Sequence, residues 1–471
     1  MSKTKSLKKN IVYNVVFQIL NIIVPIFTAP YVFRILGKEG IGLYGYSYSI
    51  AHYFSLFCML GILNYGNREI SMVSSNLERK SEIFWQIYSI QFIAGLISLI
   101  SYFLFISCFE ASYYKVFLIQ GLFVFATMFD ICWFYFGIED FRFTTIISII
   151  NKALTTALIF LIIKSSSHVC LYAALLAAGG LFNNIFYWIY INKHVVISNI
   201  SFKKTRSHLK PIILLFIPVI AVNIYKYIDK IMLGIMLNVS EVGVFEAAEK
   251  LQNLPMCLVA AIGTVMLPRI SNMISNSENT AVKHYNSLSF ILVMFLTIGM
   301  AFGLAGIAHV FIPLFYGNGY EDSELVLLLL LPSMVFVGWA NIIRTQYLLP
   351  NRLDMVFCGS VIAGAIVNVI SNFIFIPLFG AVGAAISTTI AEFSVCLYQS
   401  VVAFKKMELS LSLKNCLPFF AIGFIMYIVI THIYLDSAIL TVGIRLVLGS
   451  LLYLFLSVLF LKKHIPIRLK Q

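Results

Sequence analysis

The chain has 471 residues, of which 60% are hydrophobic and 11% are charged, and its mean hydropathy is +0.93. This composition excludes a soluble globular protein as the default interpretation. The formal net charge of +13 is explained by membrane topology and by anionic lipid head groups, so it does not predict a nucleic-acid partner.

Apolar segments follow one another along the whole chain. Each is close to the roughly 20 residues that a helix needs to cross a bilayer. We therefore predict an all-α polytopic membrane protein with about 14 transmembrane helices. The predicted segments are 11–34, 41–63, 84–108, 114–138, 143–164, 169–192, 211–236, 242–266, 285–312, 325–349, 354–376, 381–403, 415–434 and 439–461.

Basic residues are distributed unevenly between the two sets of predicted loops. With both termini inside, twenty-three lysines and arginines lie on the cytoplasmic side and four on the opposite side. This bias predicts a cytoplasmic N-terminus and a cytoplasmic C-terminus. The first apolar run follows lysines, as in a signal peptide, but it is too long and lacks a small-residue cleavage site, so we expect an uncleaved helix.

The first predicted span carries a polar stripe. Asn14, Gln18, Asn21, Pro25 and Thr28 recur at i, i+4, i+7, i+11 and i+14, which places them on one helix face. The stripe suits hydrogen bonds between helices, and it equally suits the wall of a cavity that accepts sugar hydroxyls.

The second predicted span is unusually polar and contains Tyr48 and His52. Tyrosine rings stack on sugar faces, although they are also typical of the membrane interface. His52 lies in the middle of the span, where packing or a hydrogen bond is the plainer explanation. Asn21, Tyr48 and His52 are our candidate contacts to a substrate in this part of the chain.

Sequence similarity within the chain indicates a duplication. Gly42-Leu43-Tyr44 matches Gly243-Val244-Phe245 at an offset of 201 residues, and the same offset relates Arg68 to Arg269. A second similarity, between YFGIED and YLLPNR, links Tyr135–Asp140 with Tyr347–Arg352.

The duplication predicts a domain organisation. We expect a six-helix lobe over 1–205, a second six-helix lobe over 206–406 and two additional helices over 407–471. Repeats with an even number of helices are related by an axis along the membrane normal, which predicts a central cavity between the lobes. The basic segment 193–210 is predicted to be the cytoplasmic linker that joins them.

The most informative stretch is 223–271, where two apolar segments carry charges. Lys226, Asp229 and Lys230 share one helix face at i, i+3 and i+4. Glu246, Glu249, Lys250 and Asn253 share another at i, i+3, i+4 and i+7. Each charge at a bilayer centre costs about 2.5–3.5 kcal/mol on insertion scales. Such faces are tolerated when they look onto each other or onto a water-filled cavity.

Two interpretations of these charges remain open. Three of the six are positive and three negative, so they suit an ion-pair network that locks two helices together. They also suit the wall of a transport cavity, and both descriptions can hold in different conformations.

The remaining motifs give little sign of catalysis, of a cofactor or of a metal site. The chain has no phosphate-binding GKS or GKT loop, no HExxH and no GxSxG. The outside loops are short, which argues against a membrane glycan polymerase or acyltransferase. Asp130, Lys152 and Glu392 are individually weak signals. Arg344 and Arg445 lie near predicted helix ends, where we expect them to reach the interface.

Five segments of the chain are together characteristic of a known group of proteins: GLYGYSYSIAHYFSLFCMLGILNYGNREIS, WFYFGIEDF, YKYIDKIMLG, EVGVFEAAEKLQNLP and GTVMLPRIS. They resemble bacterial polysaccharide-unit flippases, the O-antigen and capsular repeat-unit translocases of the multidrug/oligosaccharidyl-lipid/polysaccharide exporter superfamily. The resemblance implies fourteen helices, two lobes around a central cavity and alternating access. It also implies an undecaprenyl-diphosphate-linked oligosaccharide as substrate.

Comparison with related groups refines this expectation. The stretch Ala248-Glu249-Lys250-Leu251 is similar to one in the peptidoglycan-precursor flippases, where the basic residue lines the cavity, and the resemblance implies the same role for Lys250. Those relatives also have cavity arginines in the first helix, whereas 11–33 has none. Cation–drug exporters often have an acid there, and its absence argues against a cation–drug antiporter.

From this resemblance we expect a flippase of the bacterial inner membrane that works on lipid-linked oligosaccharide, without a cofactor, beside membrane lipids and alongside a polysaccharide polymerase and glycosyltransferases. A drug or metabolite exporter of the same superfamily is the alternative, and a scaffold for a synthesis complex is a further one. The predicted diphosphate ligands are Lys226, Lys230 and Lys250, and the predicted coupling or ion-pairing acids are Asp229, Glu246 and Glu249.

Overall fold

The computed structural model describes residues 2–107, 111–198 and 201–464, with the side chains of 2–23, 111–112, 202, 225, 411–412 and 463–464 outside the description. Within these ranges the chain forms helices and no strand. The α-helices are α1 (Ser2–Met59), α2 (Ile62–Val73), α3 (Leu77–Ile106), α4 (Ala111–Met128), α5 (Cys132–Gly137), α6 (Phe141–Ile162), α7 (Val169–Ile191), α8 (Phe202–Met236), α9 (Val239–Ser275), α10 (Asn279–Tyr316), α11 (Ser323–Ile343), α12 (Asp354–Phe379), α13 (Ala381–Ala403), α14 (Leu409–Thr431) and α15 (Ala438–His464).

The predicted membrane architecture is confirmed. In the described part of the chain, thirteen helical segments are long and apolar enough to cross a bilayer. The first of them includes Gly37, where the backbone leaves the helical region (φ 67°, ψ 175°) and divides α1 into two helices. The protein is therefore an all-α multi-pass membrane protein with about fourteen spans.

Two predicted boundaries are wrong in an informative way. The expected linker 193–210 is helical from Phe202 onward, because α8 begins on the polar side of the apolar run and continues through Pro211. The expected span 114–138 is two helices, since α4 ends at Met128 and α5 begins at Cys132. Apolar content predicts which residues cross the bilayer but not where a crossing helix is interrupted.

The chain separates into two compact units, residues 1–234 and 235–471. The first has a core of aromatic side chains, centred on the fully buried Phe84, Trp133 and Tyr135. The core of the second is more aliphatic. The predicted division at residue 205, and the separate treatment of 407–471, remain predictions.

A turn of the same construction occurs in both units. The residues with positive φ are Glu139 (φ 59°) in the first unit and Ser277 (φ 60°), Arg352 (φ 58°) and Glu408 (φ 51°) in the second. In all four turns the following residue donates its backbone N–H to a carbonyl five positions earlier, as at many helix ends. Between the Glu139 and Arg352 turns, which lie in the two similar segments, the offset is 352 − 139 = 213 residues. The sequence similarity of Tyr135–Asp140 with Tyr347–Arg352 is thus one residue out of register with the structure.

Close contacts within the first unit bring the second half of α1 against α8. A Cβ atom at Gly234 would collide with the ring of Tyr46, and one at Gly61 would collide with the backbone of Ile212. Between these points, Tyr53 Oη donates to the carbonyl of Ile224 at 2.6 Å. The two segments therefore run antiparallel, and the residues between the contacts face one another.

Candidate functional site

The centre of the candidate site in the first unit is Tyr227. The Nζ atoms of Lys226 and Lys230 lie 5.7 Å and 5.8 Å from the centre of its ring. A cation within about 6 Å of an aromatic face is attracted by the quadrupole of the ring. Lys226 is exposed, whereas Lys230 is only 7% exposed, so one ring holds two ammonium groups at different depths.

Two predicted residues of α1 lie against the same ring. The ring centroids of His52 and Tyr227 are 4.3 Å apart, and those of Tyr48 and Tyr227 are 6.2 Å apart. His52 Nε2 is 3.2 Å from Asn223 Oδ1. We call these six residues the Tyr227 cluster: Tyr48, His52, Asn223, Lys226, Tyr227 and Lys230.

Asp229 lies on the more buried side of α8 and is 3% exposed. It is close enough to Tyr53 for electrostatic interaction, and Tyr53 is itself bonded to α8. The carboxylate is therefore buried on the helix that carries the two lysines, where it can balance part of their charge.

Sequence reasoning missed Asn223 and Tyr227 as members of this cluster. Their signal was present, because Asn223, Tyr227 and Lys230 stand at i, i+4 and i+7 and so share a helix face. The third residue predicted near this region, Asn21, has a side chain outside the described part of the structure.

The second unit carries the other predicted charges on α9. Glu246, Glu249 and Lys250 are each partly buried. Tyr316 Oη donates to the carbonyl of Ala247 at 3.0 Å, and Glu246 is an electrostatic neighbour of the Tyr316 phenol. Packing against α10 thus sets the orientation of the α9 face that carries these charged residues.

An apolar groove of about 510 Å³ follows Lys250 along the same unit. It begins at Leu251 and Pro255 on α9 and continues over Phe295 and Gly303 on α10, with further walls from α14 and α15. A charged patch beside an apolar groove is the layout that an amphiphile with an anionic head would fit.

The buried position of Arg445 overturns its predicted placement at a membrane interface. Arg445 is 1% exposed, and its guanidinium lies 4.6 Å from the ring centre of Tyr434. All three guanidinium nitrogens donate to backbone carbonyls, one inside α10 and two where α14 ends, a task for which the planar fork of arginine is suited. The acceptors are Ile433 at 3.0 Å, Gly306 at 2.8 Å and Thr431 at 3.2 Å.

Fold and site together define the class: a multi-pass α-helical membrane protein with cationic groups on the faces of its helices. Residues 7–274 match the family model described as "Polysaccharide biosynthesis protein", and residues 179–444 match the one described as "Lipid II flippase MurJ". Each match covers more than half of the chain. The chain therefore belongs to the polysaccharide-biosynthesis flippases of the multidrug/oligosaccharidyl-lipid/polysaccharide exporter superfamily.

Individual relatives agree with this assignment. The chain is 24% identical over 404 residues, 84% of this chain and 95% of the relative, to a "Putative O-antigen transporter" of Escherichia coli (strain K12). A protein of the same description from Shigella dysenteriae is 25% identical over 406 residues, covering 83% and 98% of the two chains. Among solved structures, "Lipid II flippase MurJ, inward closed conformation" shares the fold, with a TM-score of 0.77, 18% identity and coverage of 96% and 99%.

Proposed function

We propose that this protein flips a polyprenyl-diphosphate-linked oligosaccharide, with undecaprenyl as the lipid, from the cytoplasmic to the outer leaflet of the inner membrane. The single observation that carries the proposal is the pair of ammonium groups of Lys226 and Lys230 on the ring of Tyr227. A diphosphate needs compact cations, and aromatic rings beside them suit the faces of sugars.

The second unit supports the same substrate class. Lys250 immediately precedes Leu251 in sequence, and Leu251 is the first residue of α9 that lines the apolar groove. An anionic head at Lys250 would leave a polyprenyl chain within reach of the groove, and burial of each methylene group there contributes about 0.8 kcal/mol. A water-soluble metabolite would gain nothing from this arrangement.

Membrane potential supplies part of the driving force in this proposal. An anion that moves outward across an inside-negative membrane gains about 2.3 kcal/mol per charge and per 100 mV. Asp229, Glu246 and Glu249 pair with the three lysines in the absence of substrate, or carry a coupling ion. The alternating-access cycle, the cytoplasmic termini and association with a polymerase and glycosyltransferases belong to the same proposal.

A deletion strain tests the proposal. Loss of the gene should cause lipid-linked repeat units to accumulate in the cytoplasmic leaflet and surface glycan to disappear, and the wild-type gene should reverse both. Normal surface glycan in the deletion strain, together with greater sensitivity to drugs or metabolites, would favour the alternative exporter function.

A further inference from the structure

The interruption between α4 and α5 is a built feature of the first unit. A broken helix in a bilayer exposes backbone carbonyls, and these must find donors inside the protein. Here side chains of α3 and α7 provide the donors. The bonds run from Gln91 Nε2 to the carbonyls of Thr127 (3.2 Å) and Asp130 (2.7 Å), from Asn184 Nδ2 to that of Ala126 (2.6 Å) and from Trp188 Nε1 to that of Phe129 (2.9 Å).

The break carries the carboxyl group of Asp130. Its Oδ1 accepts a hydrogen bond from the backbone N–H of Cys132 at 2.9 Å. Asp130 lines a cavity of about 520 Å³ between the α4–α5 segment, α6 and α7. Beside Asp130 and Cys132, seven residues with polar side chains line the same cavity: Thr127, Thr144, Thr145, Ser148, Asn183, Asn184 and Tyr187.

Several polar groups of this cavity offer an oxygen as a hydrogen-bond acceptor. The hydroxyls of Thr127 and Thr144 donate to carbonyls of their own helices, at 3.0 Å and 3.2 Å, so their lone pairs remain for a ligand. Asn183 Oδ1 is buried and accepts no hydrogen bond from any described residue. A cavity that offers a carboxylate and several neutral oxygens selects a cation.

The groups around Asp130 leave the negative charge of its carboxylate largely unbalanced. Cys132 on α5, Cys58 on α1 and Tyr187 on α7 are its electrostatic neighbours, and each is neutral in its ordinary form. Lys152, one turn along α6 from Ser148, is not among the cavity residues. No lysine, arginine or histidine in the described ranges forms a salt bridge with Asp130.

We propose that the Asp130 cavity binds one small monovalent cation, Na⁺ or a proton, which is exchanged during the transport cycle. One positive charge would neutralise one carboxylate, which lowers the cost of placing the site inside the bilayer. The described residues hold no group of three or more His, Cys, Asp or Glu side chains suited to a transition metal. This inference rests on the proposed transport function, since it assigns a coupling site to it.

The test measures cation binding directly, on the purified full-length protein in lipid nanodiscs. Na⁺ replaces choline at constant ionic strength and pH while the unfolding temperature is followed. Separately, infrared difference spectra after a pH jump detect a protonated carboxyl group. In Asp130→Asn, the amide oxygen can still accept from the N–H of Cys132, so the break in the helix should persist. Asp354→Asn, at an exposed acid that begins α12, is the matched control.

Two results would support the site and identify the ion. Stabilisation by Na⁺ that is present in the wild type and in Asp354→Asn, but lost in Asp130→Asn, would identify sodium. A carboxyl band that disappears only in Asp130→Asn, without any effect of Na⁺, would identify a proton. A wild type with neither response, or an Asp130→Asn variant with unchanged responses, would overturn the proposal.

A second variant covers the case in which Asp130→Asn does not fold. Asn183→Ala keeps the carboxyl group and removes one acceptor, so it should weaken the Na⁺ response or shift the carboxyl band, and an unchanged response would count against the cavity. Restoration of surface glycan is scored in parallel. Failure of the wild-type gene to restore surface glycan would refute the proposed function. Loss or retention of the cation response bears on the Asp130 site alone.

Discussion

The imidazole ring of His52 lies against the phenol ring of Tyr227, with the ring centroids 4.3 Å apart. The same phenol ring attracts the ammonium groups of Lys226 and Lys230. Tyr227 is therefore the residue through which α1 and the cations of α8 are held in one arrangement, and the proposed diphosphate site depends on that ring.

Replacement of the Tyr227 ring should weaken transport. Each cation–π contact contributes about 0.5–2 kcal/mol, so Tyr227→Leu, which loses two of them, should reduce the apparent affinity for lipid-linked glycan at least about fivefold. Tyr227→Phe keeps the ring and should retain most of the activity. The measurement is surface glycan in the deletion strain as expression is titrated, normalised to protein in the membrane.

A matched control separates this effect from a general loss of packing. Arg269 lies over the ring of Tyr285, at 4.1 Å from its centre, in the second unit and outside the proposed site. Tyr285→Leu should therefore leave transport near the wild-type level. Equal losses in Tyr227→Leu and Tyr285→Leu would argue against a specific role of the Tyr227 cluster.

Substitutions of Lys250 distinguish a ligand from a structural lock. If Lys250 binds diphosphate, Lys250→Arg should keep much of the transport, and Lys250→Ala should lose it at normal protein levels. If it only neutralises Glu246 and Glu249, its removal leaves acids unpaired at a cost of about 3–5 kcal/mol for fully buried groups, and less here because the groups are partly exposed. Protein abundance should then fall.

The neutral triple variant decides between these outcomes. Lys250→Ala combined with Glu246→Gln and Glu249→Gln removes the charge imbalance but restores no cation. The account predicts that this variant remains inactive. Recovery of surface glycan would leave the lock as the better explanation. Lys283→Ala, at an exposed salt bridge to Glu408, is the control and should change little.

Arg445 should be important for stability. Arg445→Met removes the donor to three backbone carbonyls, of which those of Thr431 and Ile433 lie where α14 ends. This loss should cost about 1–3 kcal/mol for each carbonyl left without a partner. Arg445→Lys should rescue only part, because an ammonium group cannot span three carbonyls as the guanidinium does. The check is thermal unfolding in detergent, with Lys406→Met at an exposed position as control. Unchanged unfolding of Arg445→Met would show that these bonds contribute little.

Topology is tested by single cysteines on a cysteine-free background. Lys204 and Asp436 are both exposed in the described structure, so accessibility of the side chain itself is not limiting. A membrane-impermeant thiol reagent on intact cells should label position 436 and leave position 204 unlabelled. Labelling in the reverse pattern would invert the predicted orientation.

Much of this architecture is contained in local sequence patterns. Continuous apolar segments predict the spans because a bilayer leaves few alternatives to a helix. The spacing of Lys226 and Lys230 predicts their common face. The internal duplication remains a prediction; its offset of 201 residues carries the break at Gly37 onto Asn238, the residue that caps α9 (238 − 37 = 201).

Other features depend on contacts between distant parts of the chain. No local pattern pairs His52 with Tyr227, because that contact needs the close approach that Gly234 allows to Tyr46. Nothing in the apolar run of 114–138 indicates a break, because the carbonyls it exposes are satisfied by Gln91, Asn184 and Trp188 from other helices. Proximity to a helix end likewise predicted an interfacial position for Arg445, whereas its side chain is buried by contacts with other parts of the chain.

The most direct test of the central claim is flipping by the purified protein in lipid vesicles. The substrate is undecaprenyl diphosphate carrying the repeat unit, introduced into one leaflet, and a membrane-impermeant glycosidase reports which leaflet holds the glycan. The account predicts exchange between leaflets with the wild-type protein and almost none with the combined Lys226→Gln, Lys230→Gln variant in equal amount. Glycan that stays in its original leaflet with the wild type, or exchange that is unaffected by removal of both lysines, would contradict it.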